Sequence, residues 1–325
     1  MSDYNILVTG VGAIIGYGII NTLKRSKYDL NIVGTDIYLD AVGQTWCDKF
    51  IQAERSDSDD FEDYLLSVIS TYDIDLIIPG IEQDIDKCRD ISSSIRNAGT
   101  ELAINSDKAL ETFNNKSSTY DVLCELGLPH MPYIDSGLAT VKNVKKKVGI
   151  PCILKKKVSY AGKGLRLIES LEEAALYAGV EGYIFQKYEN RGQEYTISVF
   201  GLGDGSYVAP IALRRTLGPD GATHKASTIP FEKFKDDVTA LCERVPPTGP
   251  TNFQFIEDKH GVSILLEVNP RISSSTSIRQ KFGVNESEMC IEYYLESKIP
   301  NNRVVRQGSA QRYIDEIVEY DSGYI

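Results

Sequence analysis

Two apolar runs late in the chain end in oxygen-bearing side chains. In "NFQFIED", Gln254 alternates with Asn252 and Ile256 along one strand. A turn at Lys259–Gly261 follows, and "ILLEVNPRISSST" (Ile264–Thr276) then brings Glu267 and Asn269 to the same end, with Arg271 two residues on. Alternation at period two puts such residues on one face. Gln, Glu and Asn offer oxygen, and a hard cation such as Mg²⁺ takes a few protein oxygens completed by phosphate and water. Arg271 stands where a phosphate or an anionic intermediate would lie. A polar strand end merely exposed to water would not need a carboxylate, an amide and a guanidinium at alternate positions.

Three further stretches carry chemistry of the same kind. "ILKKKVSYAGKG" (Ile153–Gly164) delivers Lys155 from an apolar strand, then a Ser/Gly segment with Ser159, Gly162 and Lys163. Backbone N–H groups of such a loop can close over a triphosphate while lysines offset its charge; a solvated basic hairpin is the plain alternative. "YIFQKYENRGQE" (Tyr183–Glu194) runs a strand through a short linker into a new strand at Glu194. Main-chain groups of the linker can pair with a purine edge and the acid can hold a ribose. "TGVGAIIGYG" (Thr9–Gly18) places glycines between a first strand and a helix, with Asp36 ending the next strand. That pattern can seat a dinucleotide, but the spacing is G-x-G-x-x-x-G, so the glycines can equally serve only a tight turn. Arg214, Arg215, His224 and Lys225 form a basic strand–turn–strand that fits an anionic acceptor or an exposed hairpin. Glu82 and Asp84 follow the "DLIIPG" strand, where ligands of parallel sheets commonly bind; they could hold an amine, or Asp84 could simply favour a helix start.

These residues need elements to hold them. Strands at Asn5–Gly10, Asn31–Asp36, Asp75–Gly80 and Glu101–Ser106 alternate with helices, which predicts a parallel doubly wound sheet over about 1–110. The texture then becomes α+β, with antiparallel strands after Tyr183 and helices near Glu232–Arg244 and Glu286–Leu295. Residues from about Asn301 are expected to pack back as a short strand or helix. The 325 residues are 42% apolar and 25% charged, an ordinary globular mixture. A net charge of −11 argues against a chain that coats nucleic acid. No basic-then-apolar leader and no membrane-length apolar run are seen, so a cytoplasmic protein without membrane contact is expected. Six scattered cysteines without a C-x-x-C pair, and three lone histidines, make no metal pattern and read as reduced thiols.

Taken in order, the motifs resemble the ATP-grasp superfamily, in its carbamoyl-phosphate-synthetase-like branch, over essentially the whole chain. The resemblance implies an α/β N-terminal Rossmann-like (pre-ATP-grasp) domain at 1–110 and a two-lobed α+β ATP-grasp domain. Its smaller, glycine-loop lobe would be 111–183 and its C-terminal, metal-bearing lobe 184–325. "NNKSSTYDVLCELGLPHMPYI" looks like the stretch with a phosphate-binding lysine, which implies Lys116. Lys155, Ser159, Gly162 and Lys163 match the second nucleotide lysine and the triphosphate loop, although Lys156 stands where many members have Pro. Lys187 and Tyr188 match the adenine hinge, with Lys187 where Glu is common, and Glu194 matches the ribose-binding acid. Gln254, Glu267 and Asn269 match the metal ligands and Arg271 the anion-binding arginine.

The implied activity is an ATP-dependent carboxylate–amine ligation through an acyl phosphate, using ATP and Mg²⁺ (or Mn²⁺), with two ions expected. Arg271 and Lys155 would be catalytic, and Glu82, Arg214 and Ser273 candidate substrate residues. The expected partners are a small carboxylate and an amine, with a homodimer allowed. The rival readings are an NAD(P)-dependent oxidoreductase built on "TGVGAIIGYG" and Asp36, a non-catalytic nucleotide-binding relative, and a fragment of a carbamoyl-phosphate synthetase, for which the chain is short.

Overall fold

The computed structural model describes residues 2–158, 164–188, 192–219, 221–301, 303–313 and 315–317, and the backbone of 319–320 and 323–324. The chain begins with β1 (Tyr4–Thr9), α1 (Ile14–Leu23), β2 (Leu30–Asp36), β3 (Lys49–Gln52), α2 (Phe61–Tyr72), β4 (Leu76–Ile78), α3 (Glu82–Asp90), α4 (Ser92–Asn97) and β5 (Glu101–Leu102). All five strands are parallel, in the order β3-β2-β1-β4-β5. Ile6–Val8 and Leu76–Ile78 are buried outright, as continuous apolar runs in a sheet covered on both faces must be. The chain order reverses between β1 and β4, which opens a crevice beyond the carboxyl ends of the strands.

The glycines after β1 serve packing. Gly10 adopts a left-handed backbone (φ 61°), and a Cβ on Gly16 would lie 2.1 Å from the Gly10 carbonyl oxygen. A Cβ on Gly80 would lie 2.3 Å from the carbonyl oxygen of Thr9. Helix α1 can approach β1 and the end of β4 only without those side chains.

The smaller sheet has the order β6-β9-β7-β8. It is reached through α5 (Asp107–Phe113) and α6 (Lys116–Leu126) and built from β6 (Tyr133–Asp135), α7 (Val141–Lys147), β7 (Cys152–Lys156), β8 (Arg166–Ile168), α8 (Leu171–Ala175) and β9 (Tyr183–Lys187). One face (Cys152, Leu154, Ile168, Phe185) packs on Val144, Val148 and Ala174 as a core of its own. Helix α6, which falls in the stretch 111–183 that the sequence placed with this lobe, packs elsewhere, as does α5 before it: Phe113, Tyr120 and Leu123 belong to the core of the larger sheet.

That larger sheet has six strands in the order β14-β13-β10-β11-β12-β15. They are β10 (Glu194–Leu202), β11 (Tyr207–Leu217), β12 (Thr223–Ile229), β13 (Thr248–Glu257), β14 (Ser263–Asn269) and β15 (Ser309–Gln311), with α9 (Lys235–Arg244), α10 (Thr276–Lys281) and α11 (Glu286–Cys290). Tyr195, Ile197, Phe253, Phe255 and Val268 face α6 and α9. The opposite face is polar at one end. Ile211 and Leu213 on that side share one core with Ile6, Val8, Ile19 and Met289, so the N-terminal sheet and the larger lobe are fused. Asn105 adds to the junction, donating to the Thr251 hydroxyl at 2.9 Å and accepting from the Thr248 amide at 2.9 Å.

Candidate active site

The register of β13 and β14 builds the site. Gln254 lies directly opposite Glu267, and Asn252 opposite Asn269. On the other side of β13, Thr196 of β10 faces Gln254 and Ser198 faces Asn252. Directly opposed residues in an antiparallel pair share a face, so the alternation read from the sequence brings Gln254, Glu267 and Asn269 together. Arg271, just past β14, is held in place. Its Nε donates to Glu82 Oε1 at 3.0 Å, one terminal nitrogen donates to Glu82 and to Asn269 Oδ1 at 3.0 Å, and the other to the Ile272 carbonyl at 3.1 Å. A two-pronged grip on an anion by Arg271 would require Glu82 to let go. Glu82 stands at the first turn of α3, so its place is beside Arg271.

The lysines come from the other side of the cleft. Asn115 caps α6 by accepting from the amides of Ser117 and Ser118. The Lys116 amide donates to the Lys157 carbonyl at 2.9 Å, which ties the start of α6 to the small lobe. Lys155 sits opposite Ile184, on the sheet face it shares with Gln186, and Gln186 donates to the Tyr120 hydroxyl on α6. Burial pushes the Lys155 ammonium down to about 8; Glu267 opposes the shift and the charge of Lys116 adds to it. Burial also lowers Lys116, again opposed by Glu267. Two lysines from different elements thus converge on the carboxylate of Glu267. A cavity of about 30 Å³, room for roughly one water, is bordered by Glu82, Lys116, Glu267 and Asn269.

Lys187 ends β9 with its side chain exposed and its amide donating to the Pro132 carbonyl at 2.9 Å; Tyr188 follows, also exposed. Ser159, Gly162 and Lys163 lie outside the described residues. Glu194 is paired with Arg215 at 3.2 Å. Arg214, singled out for substrate, opposes Tyr195 on the helix-covered side of the sheet and is exposed. Its neighbour Arg215 faces the site and donates to Gln254 Oε1 at 2.7 Å. Ser273 is buried, and its hydroxyl accepts from Arg279 at 2.9 Å and from the Ser275 amide, so it braces the turn into α10. His224 and Lys225 are exposed.

Sequence reasoning missed Arg279. It is wholly buried and ion-paired with Glu286 at 3.1 Å. It also donates to Thr196 Oγ1 at 2.9 Å and to Asn252 Oδ1. These bonds fix the floor under the proposed ligand face.

The donor chemistry suits a hard cation. The amide oxygens of Gln254 and Asn269 already accept from guanidinium groups, and Glu267 lies beside two ammonium groups. All three oxygens therefore point where positive charge is favoured. Among the described residues, no cluster of three or more His, Cys, Asp or Glu offers a different metal site. No described helix is long and apolar enough to cross a membrane.

The Rossmann turn has a different occupant from the one a dinucleotide would require. The Gly12 amide donates to Asp36 Oδ2 at 2.8 Å and the Tyr38 amide to Asp36 Oδ1 at 3.0 Å. The amide that would face a pyrophosphate and the carboxylate that would hold a ribose are bonded to each other.

Comparison with known proteins bears on the fold. The family model for an ATP-grasp in the biosynthetic pathway with Ter operon matches residues 189–317. The carbamoyl phosphate synthase large chain of Pyrococcus furiosus is 24% identical over 227 residues, covering 64% of this chain and 21% of that one. The formate-dependent phosphoribosylglycinamide formyltransferase of Rhodococcus jostii is 25% identical over 221 residues, covering 66% and 50%. The matches span between about a fifth and a half of the length of these curated relatives. Among solved structures, N5-carboxyaminoimidazole synthetase from Staphylococcus aureus with ADP superposes with a TM-score of 0.72 at 17% identity, covering 93% of this chain and 80% of that one. The biotin carboxylase domain of Hydrogenobacter thermophilus 2-oxoglutarate carboxylase, with MgADP and bicarbonate, gives 0.73 at 16%, covering 95% and 73%. Lys116, Lys155, Gln254, Glu267, Asn269 and Arg271 are thus assembled on a chain that is similar to ATP-grasp proteins, by the family model over residues 189–317 and by fold over nearly its whole length.

Proposed function

We propose that the protein is an ATP-dependent carboxylate–amine ligase. The observation that carries the reading is the convergence of Lys116 and Lys155 on Glu267, which is itself in register with Gln254. Lys116, Lys155, Ser159, Gly162 and Lys163 would hold the phosphates, Lys187 and Tyr188 the adenine, and Glu194 the ribose. Gln254, Glu267 and Asn269 would hold Mg²⁺, which would neutralise phosphate charge when bound.

Phosphoryl transfer needs positioning and charge neutralisation more than covalent help from the protein. A substrate carboxylate oxygen attacks the γ-phosphorus, the bond to the ADP oxygen breaks, and an acyl phosphate forms. An amine then attacks the acyl carbon and loses a proton, and phosphate leaves. The buried lysines offset charge in a site of low dielectric, where each is worth more than in water. Arg271, held by Glu82 and Asn269, would turn to the phosphate being transferred once Glu82 lets go. A homodimer accompanies the reading, since the biotin carboxylase domain among the neighbours is described as a dimer.

The test is ADP and phosphate release over panels of carboxylates and amines, singly and in pairs. Turnover should require a matching pair and fall by about three orders of magnitude in Glu267→Gln, the scale of a lost electrostatic stabiliser at a reacting centre. ATP binding without turnover for any pair would favour the non-catalytic relative. Tight NAD(P) binding without ATP binding would restore the oxidoreductase, which the Gly12–Asp36 bond disfavours.

A further inference from the structure

A large hollow among the described residues lies outside the nucleotide cleft. It is a crevice of about 960 Å³ at the carboxyl ends of β1, β2 and β4. That is the reversal point of the sheet, where open α/β sheets bind ligands. Its lining contains seven carboxylates and two cations, Arg55 and Lys87, and Arg55 is already paired with Asp57 at 2.9 Å. Two of the carboxylates, Asp36 and Asp84, are 8% exposed and form the floor. Tyr38 and Val42, both exposed apolar side chains, border the same space. A hollow of this size with an apolar rim and an acidic floor fits a small organic cation with some hydrocarbon.

The crevice adjoins the phosphate site. Glu82 borders the small cavity beside Lys116 and Glu267, while Gln83 and Asp84, the next two residues of α3, border the large one. One helical turn therefore separates them. A phosphate-bearing ligand would meet seven negative groups. That distinguishes this crevice from a site for the phosphoribosyl amine in the name of the Rhodococcus relative. An ammonium held by carboxylates is no nucleophile, because the carboxylates favour its protonated form. The group gripped in the crevice is therefore a second positive group, with the attacking amine reaching past α3.

We infer that this crevice binds the acceptor substrate of the ligase, an amine that carries a second positive group and no phosphate. The identity of the ligand as the acceptor rests on the ligase reading; the charge class of the crevice does not. The experiment is equilibrium binding to the full chain without ATP, with 1,5-diaminopentane, L-lysinamide, 1-pentanol and O-phosphoethanolamine as probes. The two dications should bind, the alcohol and the phosphate ester should not, and Asp40→Asn/Glu54→Gln should weaken the dications about tenfold, as expected from removing two partly screened charges. Asp40 and Glu54 are exposed, so this variant should fold. Failure of both dications to bind, tighter binding of O-phosphoethanolamine, or unchanged affinity in the double variant would overturn the inference. None of these outcomes touches the effect of Glu267→Gln on ATP turnover, and loss of that effect would leave the binding result standing.

Discussion

Neutralising Asp84 should make the protein more stable, and by an amount that depends on pH. The carboxyl is 8% exposed, and burial pushes its pKa up from 3.8 to about 6. Hydrogen bonds from Thr9 and Ser56 oppose the shift, and the charge of Asp36 adds to it. Tyr64 and Cys88 also feel the Asp84 charge. Because the folded pKa is raised, the group's favourable contribution is complete below the unfolded pKa of about 3.8 and is lost as pH rises through 6. At pH 7.5 the ionised carboxylate therefore costs about 3 kcal/mol, two pKa units at roughly 1.4 kcal/mol each. At pH 5 the same arithmetic gives about half as much. Asp84→Asn keeps the shape and an oxygen acceptor for the two hydroxyls. Urea unfolding should show it more stable than the parent by up to about 3 kcal/mol at pH 7.5, by about half that at pH 5, and hardly at all near pH 3.5. A variant less stable than the parent by the same amount at all three pH values would refute the reasoning, because Asp84 would then be an essential hydrogen-bond acceptor and no buried charge.

Arg279→Met strands the Glu286 carboxylate in the core and should cost about 3–5 kcal/mol by denaturant unfolding, whereas Arg279→Met/Glu286→Leu should recover most of the loss. Arg214→Ala should leave turnover within about twofold, while Arg215→Ala, which frees Gln254 and Glu194 and leaves both unpaired, should raise KM for ATP by about tenfold or more. Glu82→Gln loosens the hold on Arg271 and should lower kcat by about tenfold while KM for ATP stays within about twofold, a split that steady-state kinetics resolves.

Alternation made the ligand face legible. Gln254, Glu267 and Asn269 could be placed together because period two holds from Asn252 to Gln254 and from Glu267 to Asn269, and the register matches these strand to strand; the ladder shifts only beyond them, between Gln254 and Phe255. The same rule, carried along β11, points to Arg215: Ile211 and Leu213 are buried, and Arg215 continues their face. Arg214, one residue earlier, falls on the opposite face, across from Tyr195. The stretch Ile85–Gly99 reads in the sequence as one helix, yet it divides at Ile91 into α3 and α4. Strand β3, four residues with no apolar alternation, offered no signal. The Arg279 network was illegible because its partners Thr196 and Asn252 lie 83 and 27 residues away. Only tertiary packing brings them together. The placement of α5 and α6 in the larger core was hidden for the same reason: an apolar helix face does not name the sheet it will cover.

The charge map gives the chain's acidity a physical sense. Positive groups gather at the nucleotide cleft, where Lys116, Lys155, Arg215, Arg271 and Arg279 lie on or beneath one sheet end. Negative groups gather across one turn of α3, in the crevice floored by Asp36 and Asp84. The Glu82–Arg271 pair stands at the boundary. A polyphosphate and a cationic amine sharing one undivided cavity would pair with each other, more strongly in a low-dielectric space than in water. That pairing would hold the amine protonated and point it at the wrong oxygens. Dividing the cavity by charge sends each ligand to its own side and leaves only the reacting ends to meet. On this argument the free-energy cost of ionised Asp84 is what keeps the floor of the crevice negative at neutral pH, so Asp84→Asn should trade affinity for stability. Measured on the same preparation, Asp84→Asn should bind 1,5-diaminopentane about tenfold or more weakly at pH 7.5 while unfolding at higher urea. A variant that gained stability without losing affinity would show that the carboxylate serves neither the fold nor the ligand.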